Sequence, residues 1–302
     1  MSALLSVAFL VQVLRISVPY VLAALGGTFS ERGGVPNIGL EGILLVGAFG
    51  FVLGAHATGS PWAGLAAGVL AGMIAASILG IAVIRLGADA IVTGVAMNLL
   101  ALGATKFLLK LVWDSASNSG RVEAPAALLD GDGAVGAVLG FVSHPLVLLA
   151  AAIVAGSHLL LWRTRFGLRL RACGEHPEAA ATAGVAVRRV RAAGVLLSGA
   201  LAGLGGVWLA AEQHQFSDNM SGGRGYIALA ALIFGRWNPL GATAACLAFG
   251  AAEALQISLQ GRGTGIPTQF LQMLPYLLTI ATLVGFRGGA RAPAALGRPY
   301  EG

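Results

Sequence analysis

Charge is what this chain has least of. Of its 302 residues, 11% are Asp, Glu, Lys or Arg, against roughly 25% in a soluble domain. The few charges are also clumped. None occurs in residues 1–14, 42–84, 133–162, 192–211, 237–252 or 263–286. With 57% hydrophobic residues, such windows exclude an ordinary soluble domain, and the lack of short alternating segments excludes a membrane β-barrel. A Gly-x4-Gly-Lys-Ser/Thr nucleotide loop is missing, and so is any Cys/His metal spacing. His56, His144, His158, His176 and His214 are scattered, so metal is not implied and an intramembrane enzyme lacks a nucleophile–base pair. Cys173 lies in a loop and Cys246 in a span, and both read as unpaired packing residues. No basic stretch precedes Arg15, so residues 4–25 read as a retained span and not a cleaved signal. The net charge of +6 does not point to nucleic acid. The arginines gather in one loop and in the tail (Arg287, Arg291, Arg298), almost without interleaved aromatics.

What is present is a series of apolar stretches near the roughly 20 residues a helical crossing needs. Spans are expected at 4–26, 38–55, 62–84, 89–111, 145–162, 192–211, 240–258 and 267–286. A piece at 226–235 is too short to cross and reads as re-entrant or a half-helix. The expected fold is all-α: a polytopic helical membrane protein of about eight spans plus that half-helix, with residues 1–302 forming one transmembrane domain. Seven arginines lie in the interruption at 163–191, which places that loop in the cytoplasm. Arg85, Glu31-Arg32 and the tail at 287–302 then fall inside as well. The N-terminus and a loosely structured 113–143 segment fall outside. Arg15, within the first span, belongs at an interface or against protein. Many of the 45 glycines recur at four-residue spacing (Gly50/Gly54, Gly64/Gly68/Gly72, Gly199/Gly203), as close helix packing in lipid requires.

Three constellations stand apart from this background. The first is Gly33-Gly34-Val35-Pro36-Asn37-Ile38-Gly39-Leu40-Glu41-Gly42. Asn37 is placed to cap a helix starting near 38, and Glu41 would sit in its first turn, where the dipole favours a carboxylate. Two roles are open for Glu41: a structural pivot, capping amides or pairing with Arg32, and direct contact with a solute. The second is Gly174-Glu175-His176-Pro177-Glu178-Ala179-Ala180, with Gly184 four residues further on. It reads as a short helix with a flat face, stopped by glycine and surrounded by arginines suited to docking a partner. The third is Gly223-Arg224-Gly225, an apolar run to Phe234, then Gly235-Arg236-Trp237-Asn238-Pro239. Glycines on both sides of a short apolar piece fit a broken helix packed inside protein, with Arg224 and Arg236 at its ends. Asn98, Glu253, Gln256 and Gln272, isolated within spans, either bond neighbouring helices or serve a polar solute. Glu41 and Glu253 would be the proton relays of a secondary transporter, the rival reading.

These stretches resemble the permease subunits of bacterial ABC importers of the branched-chain amino acid and ribose type, within them the nucleoside or simple-sugar branch. The resemblance rests on Ser30 to Gly42, Arg171 to Gly184 and Gly223 to Gly241, in order and over nearly the whole chain. It implies a multi-pass protein of the bacterial inner membrane, without catalytic residues, that imports nucleosides or sugars. Gly174, Glu175, Pro177, Glu178, Ala179, Ala180 and Gly184 would form the coupling loop for an ATPase subunit. The Ile-x-Leu-Pro ending of such loops is replaced here by Val185 to Arg191. Asn37, Gly39, Glu41, Asn98 and Glu253 would line the pathway. The resemblance further implies no cofactor in this chain, with ATP and Mg held by the ATPase. Its other implied partners are a second permease, favoured as a different chain, and an extracytoplasmic solute-binding protein.

Overall fold

Proline opens three of the seven long apolar helices among the described residues, at Pro61, Pro145 and Pro239. The computed structural model describes residues 7–129, 133–260 and 291–300, together with Phe270, Met273 and Leu277. Helix α1 (Val7–Arg32) is followed by α2 (Leu40–Thr58) and α3 (Pro61–Gly80), which runs on through a π-helical turn, Ile81–Arg85. Then come α4 (Ala90–Trp113), α5 (Gly133–Val142), α6 (Pro145–Arg163), α7 (Arg165–Glu175), α8 (Pro177–Thr182), α9 (Val187–Gln213), α10 (Arg224–Phe234) and α11 (Pro239–Gln260). Pro61, Pro145, Pro177 and Pro239 each take the first helical position, where a missing N–H costs nothing. Asp89 Oδ1 caps α4 by accepting from the N–H groups of Ile91 and Val92, both at 2.9 Å.

Among the described residues, seven helices are long and apolar enough to cross a membrane. They coincide with seven of the expected spans, the largest differences being α1, which runs on to Arg32, and α9, which starts at Val187. The stretch at 267–286 lies outside the described residues, apart from the three isolated positions. Large apolar side chains stay exposed on α3 (Leu70, Ile74, Ile78) and α4 (Leu99, Phe107, Leu111), as lipid-facing surfaces do.

Helices α1, α2, α3 and α9 enclose the interior, and glycine sets how closely they approach. A Cβ on Gly50 would lie 3.2 Å from Gly68 Cα, and one on Gly47 would lie 2.6 Å from Gly203 Cα. Lipid offers no hydrophobic drive for association, so backbone-to-backbone dispersion contact carries it. Gly47→Leu therefore forces α2 off α9. We expect loss of the folded chain from detergent extracts on size-exclusion chromatography, whereas Gly103→Leu, which has open space around it, should behave as wild type.

Part of the 113–143 stretch, residues 117–122, is tied to the chain after α9. Ser119 N–H donates to Phe216 O and Val122 N–H to His214 O, both at 2.9 Å, and α5 occupies the end of the stretch. Phe216 stacks edge-on against Phe49 at 5.3 Å. The pairing is with a segment almost a hundred residues away, which no local signal announces. Arg15 meets Glu212 of α9 at 3.3 Å and stays half exposed, in keeping with an interfacial place.

Candidate functional site

The chain does not enter α2 where its sequence signals. Asn37 is not a cap: its Nδ2 donates to Ser198 Oγ on α9 at 2.8 Å, and α2 begins at Leu40 with Gly39 at its N-cap and no side-chain cap. Asn37 is fully buried, and its Oδ1 has no partner among the described residues. The exposed backbone of this break is satisfied from α4 instead. Asn98 Oδ1 accepts from Gly42 N–H at 2.8 Å, and its Nδ2 donates to Ile38 O and to Tyr226 Oη, both at 3.0 Å.

Glu41 sits in the first turn of α2, yet its carboxylate serves another helix. Oε1 accepts from Gly223 N–H and Oε2 from Gly225 N–H, each at 2.7 Å. It thus caps the N-terminus of α10, whose own N-cap residue is Gly223 and offers no side chain. A negative group there meets both orphan amides and the positive end of the dipole. Pairing with Arg32 does not occur. Gly225 is held against the Glu41 backbone so closely that any Cβ would overlap it. Next to this cap, Arg224 Nη2 lies 3.4 Å from Glu253 Oε1 of α11, whose other oxygen accepts from Tyr20 Oη of α1.

Eleven residues long, α10 spans about 16 Å, half of a roughly 30 Å hydrocarbon core. It ends on Gly235, and the chain turns through Arg236 (φ 56°) and Trp237 (φ 53°) before Pro239 starts α11. Two successive left-handed residues other than glycine store about 1–3 kcal/mol each. The end of α1 holds them there. Trp237 Nε1 donates to Glu31 Oε2 at 2.6 Å, Arg32 Nε donates to Trp237 O at 2.8 Å, and Arg32 Nη2 donates to Arg236 O at 3.1 Å.

Arg32 also faces the arginine-rich layer. Its Nη1 is 4.0 Å from Glu175 Oε1 at the end of α7, and both Arg32 and Arg171 lie over the ring of Trp162 of α6, 5.6 and 4.4 Å from its centre. Helix α8 follows and stops as its glycine indicates, with Gly184 at φ +81°. The seven expected coupling residues divide into two groups. Glu175, Glu178, Ala179 and Gly184 are exposed, while Gly174, Pro177 and Ala180 are buried and support them from beneath. Arg191, grouped in sequence with the surface arginines, is buried too, donating to Cys173 O at 3.2 Å. Burial pushes the Cys173 thiol up from its ordinary value; both cysteines are free.

Sequence spacing brought out α10, its flanking glycines and the α8 turn. It missed Tyr20, Glu31, Ser198 and Arg191, whose partners lie up to 233 residues away; only an aromatic or ionisable residue inside an apolar span could have flagged the first two. Gln256 is half-buried, and Gln272 lies outside the described residues. Among the described residues no group of three His, Cys, Asp or Glu could hold a metal ion.

Among the described residues, seven long apolar helices, a half-helix packed against them by one face (Gly225, Ala228, Ala231, Leu232) and a charged layered end fit a membrane transport subunit. Residues 9–283 match the family described as branched-chain amino acid transport system / permease component, and the chain belongs to that family. It is 44% identical to the guanosine ABC transporter permease protein NupQ of Bacillus subtilis, covering 93% of this chain and 92% of that one. It is 40% identical to the nucleoside ABC transporter permease protein NupC of Lactococcus lactis, covering 94% and 93%. The guanosine ABC transporter permease protein NupP of Bacillus subtilis is 26% identical over 87% of this chain and 77% of that one. No solved structure matches. The chain is a multi-pass plasma-membrane protein and a transport component, not an enzyme. Family membership sets aside the proton-coupled secondary transporter.

Proposed function

We propose that this chain forms one half of the pathway of an ATP-driven nucleoside importer, and that α10 is the element moved when the ATPase engages. The observation that carries the mechanism is one continuous set of contacts. Exposed α8 follows α7; Glu175 of α7 faces Arg32; Arg32 and Glu31 hold the turn at Arg236 and Trp237; that turn ends α10, whose other end is capped by Glu41. By the positive-inside rule the α7–α8 layer is cytoplasmic, where Glu178, Ala179 and Gly184 offer the ATPase a small-residue surface. ATP and Mg are held by that partner. A shift of α7 reaches the turn through Arg32, and the turn tilts α10 within the membrane while Glu41 serves as its pivot.

Asn37, Asn98 and Glu253 then act chiefly as the frame around α10, since their side chains bond neighbouring helices, and Gly39 lets the start of α2 approach Leu79 and Met97. The nucleoside assignment draws on the similarity to NupQ and NupC. A second, different permease is favoured because two guanosine permeases of Bacillus subtilis, NupQ and NupP, are both similar to this chain at unequal distance. A solute-binding protein on the outer face would present the cargo.

The reading is tested in proteoliposomes containing the permease pair, ATPase and binding protein, with ATP inside and the proton gradient collapsed. Radiolabelled guanosine should accumulate, excess uridine or adenosine should compete, and glucose or ribose should not. Competition by the sugars alone would replace nucleosides with simple sugars as cargo, and loss of uptake with the gradient would overturn ATP-driven import.

A further inference from the structure

Residues 291–300 close the described chain on the arginine-rich face, folded into a strap. Two overlapping turns, closed by Leu296 N–H to Pro293 O (3.0 Å) and Arg298 N–H to Ala295 O (3.2 Å), bury Pro293 and Ala295. The strap bonds three separate parts of the layer beneath it. Ala295 N–H donates to Gly174 O at 2.8 Å, and Ala294 N–H donates to Glu175 Oε2 at 3.2 Å, so the last turn of α7 is held twice. Gly297 N–H donates to Gly34 O at 3.0 Å in the break after α1. Both glycines sit at left-handed φ, +74° and +91°, a conformation that a side chain would strain. From α9, buried Arg191 donates through Nη1 to Arg298 O at 3.0 Å and through Nη2 to Cys173 O, joining strap and α7 through one guanidinium. Tyr300 packs against Cys173, Ala180 and Val187, under α8.

This arrangement answers a mechanical difficulty. Helix α8 has six residues, far below the roughly 12 at which an isolated helix holds itself, yet it must pass a displacement to α7 without yielding. The strap and Arg191 supply the backing, and Arg291, Arg298 and Pro299 remain exposed at its edge. We propose that the C-terminal strap is part of the ATPase-docking surface: it fixes α7 and α8 in the position the ATPase engages, and its exposed arginines contact that subunit directly. The proposal rests on the reading of α8 as the coupling helix.

The test uses the full complex in proteoliposomes and compares deletion of residues 291–302, Tyr300→Asp, Arg298→Glu and Arg191→Met with Glu178→Arg. Permease level in the membrane, ATPase co-purification, hydrolysis and uptake are measured together. Deletion and Tyr300→Asp should lower uptake per ATP by at least about fivefold with the permease still inserted. Arg298→Glu should weaken ATPase retention, and a synthetic peptide of residues 291–302 in excess should restore part of the deletion's loss. If Glu178→Arg uncouples while every strap variant keeps native uptake per ATP and ATPase retention, the strap proposal is overturned and the coupling reading stands. If Glu178→Arg also stays coupled, the coupling reading itself fails. Should the deletion leave no permease in the membrane, Tyr300→Asp and Arg298→Glu decide in the same two directions.

Discussion

Glu41→Gln should lower nucleoside uptake by about tenfold or more while leaving the chain inserted in the membrane. The carboxylate accepts two backbone bonds from α10 at 2.7 Å each, and bonds to a charged acceptor are worth about 1.5–3 kcal/mol apiece. An amide keeps one acceptor and turns its NH2 toward the other backbone N–H, donor against donor. The helix dipole also loses its counter-charge at a buried site. Since about 1.4 kcal/mol is a factor of ten, loss of one bond suffices to shift α10 from its working position. The seven long helices are packed by glycine contacts that do not involve this carboxylate, so insertion should survive. Glu41→Asp, too short to reach both amides, should fall between the two. Uptake by the Gln variant within about twofold of wild type, at equal membrane level, would remove Glu41 from the mechanism.

Glu178→Arg and Gly184→Trp should separate ATP hydrolysis from uptake. Both residues are exposed, Glu178 in the first turn of α8 and Gly184 just past its end, and the membrane level of each variant is measured beside its uptake. Reversing the charge at a docking contact costs about 2–5 kcal/mol, enough to cut uptake at least tenfold. Gly184→Trp acts differently: its φ of +81° penalises any side chain, and the indole stands in the docking plane. Basal hydrolysis in the complex should persist, while stimulation by loaded binding protein is lost. Normal stimulated hydrolysis and uptake in both variants would sink the assignment of α8.

Much of the fold could be read from the sequence, because the signals are local. Long apolar stretches marked the seven described spans to within about six residues, the short run after Gly225 marked the half-helix, and Gly184 marked the end of α8. Asn37 shows where such reading stops. Its position before a glycine and an apolar run has every feature of a cap, yet Ser198, 161 residues away, offers a partner inside the bundle. The cap on α10 came from Glu41, 182 residues before it, and no spacing rule connects the two. Arg191 shows the opposite error, since an arginine among surface arginines proved to be an interior bracket.

By itself the sequence determined that this is a multi-span helical membrane protein, which end of it is arginine-rich, where its half-helix lies and which short turn ends in glycine. Each of these depends on hydropathy over one helix length or on the backbone freedom of single residues, and both are local properties. Only the tertiary structure decided that Glu41 caps α10, that Arg32 and Glu31 hold its far end, and that the C-terminal strap binds α7. Those outcomes depend on which buried donor meets which buried acceptor when distant helices pack, because a polar group removed from water takes whatever partner the fold brings within reach.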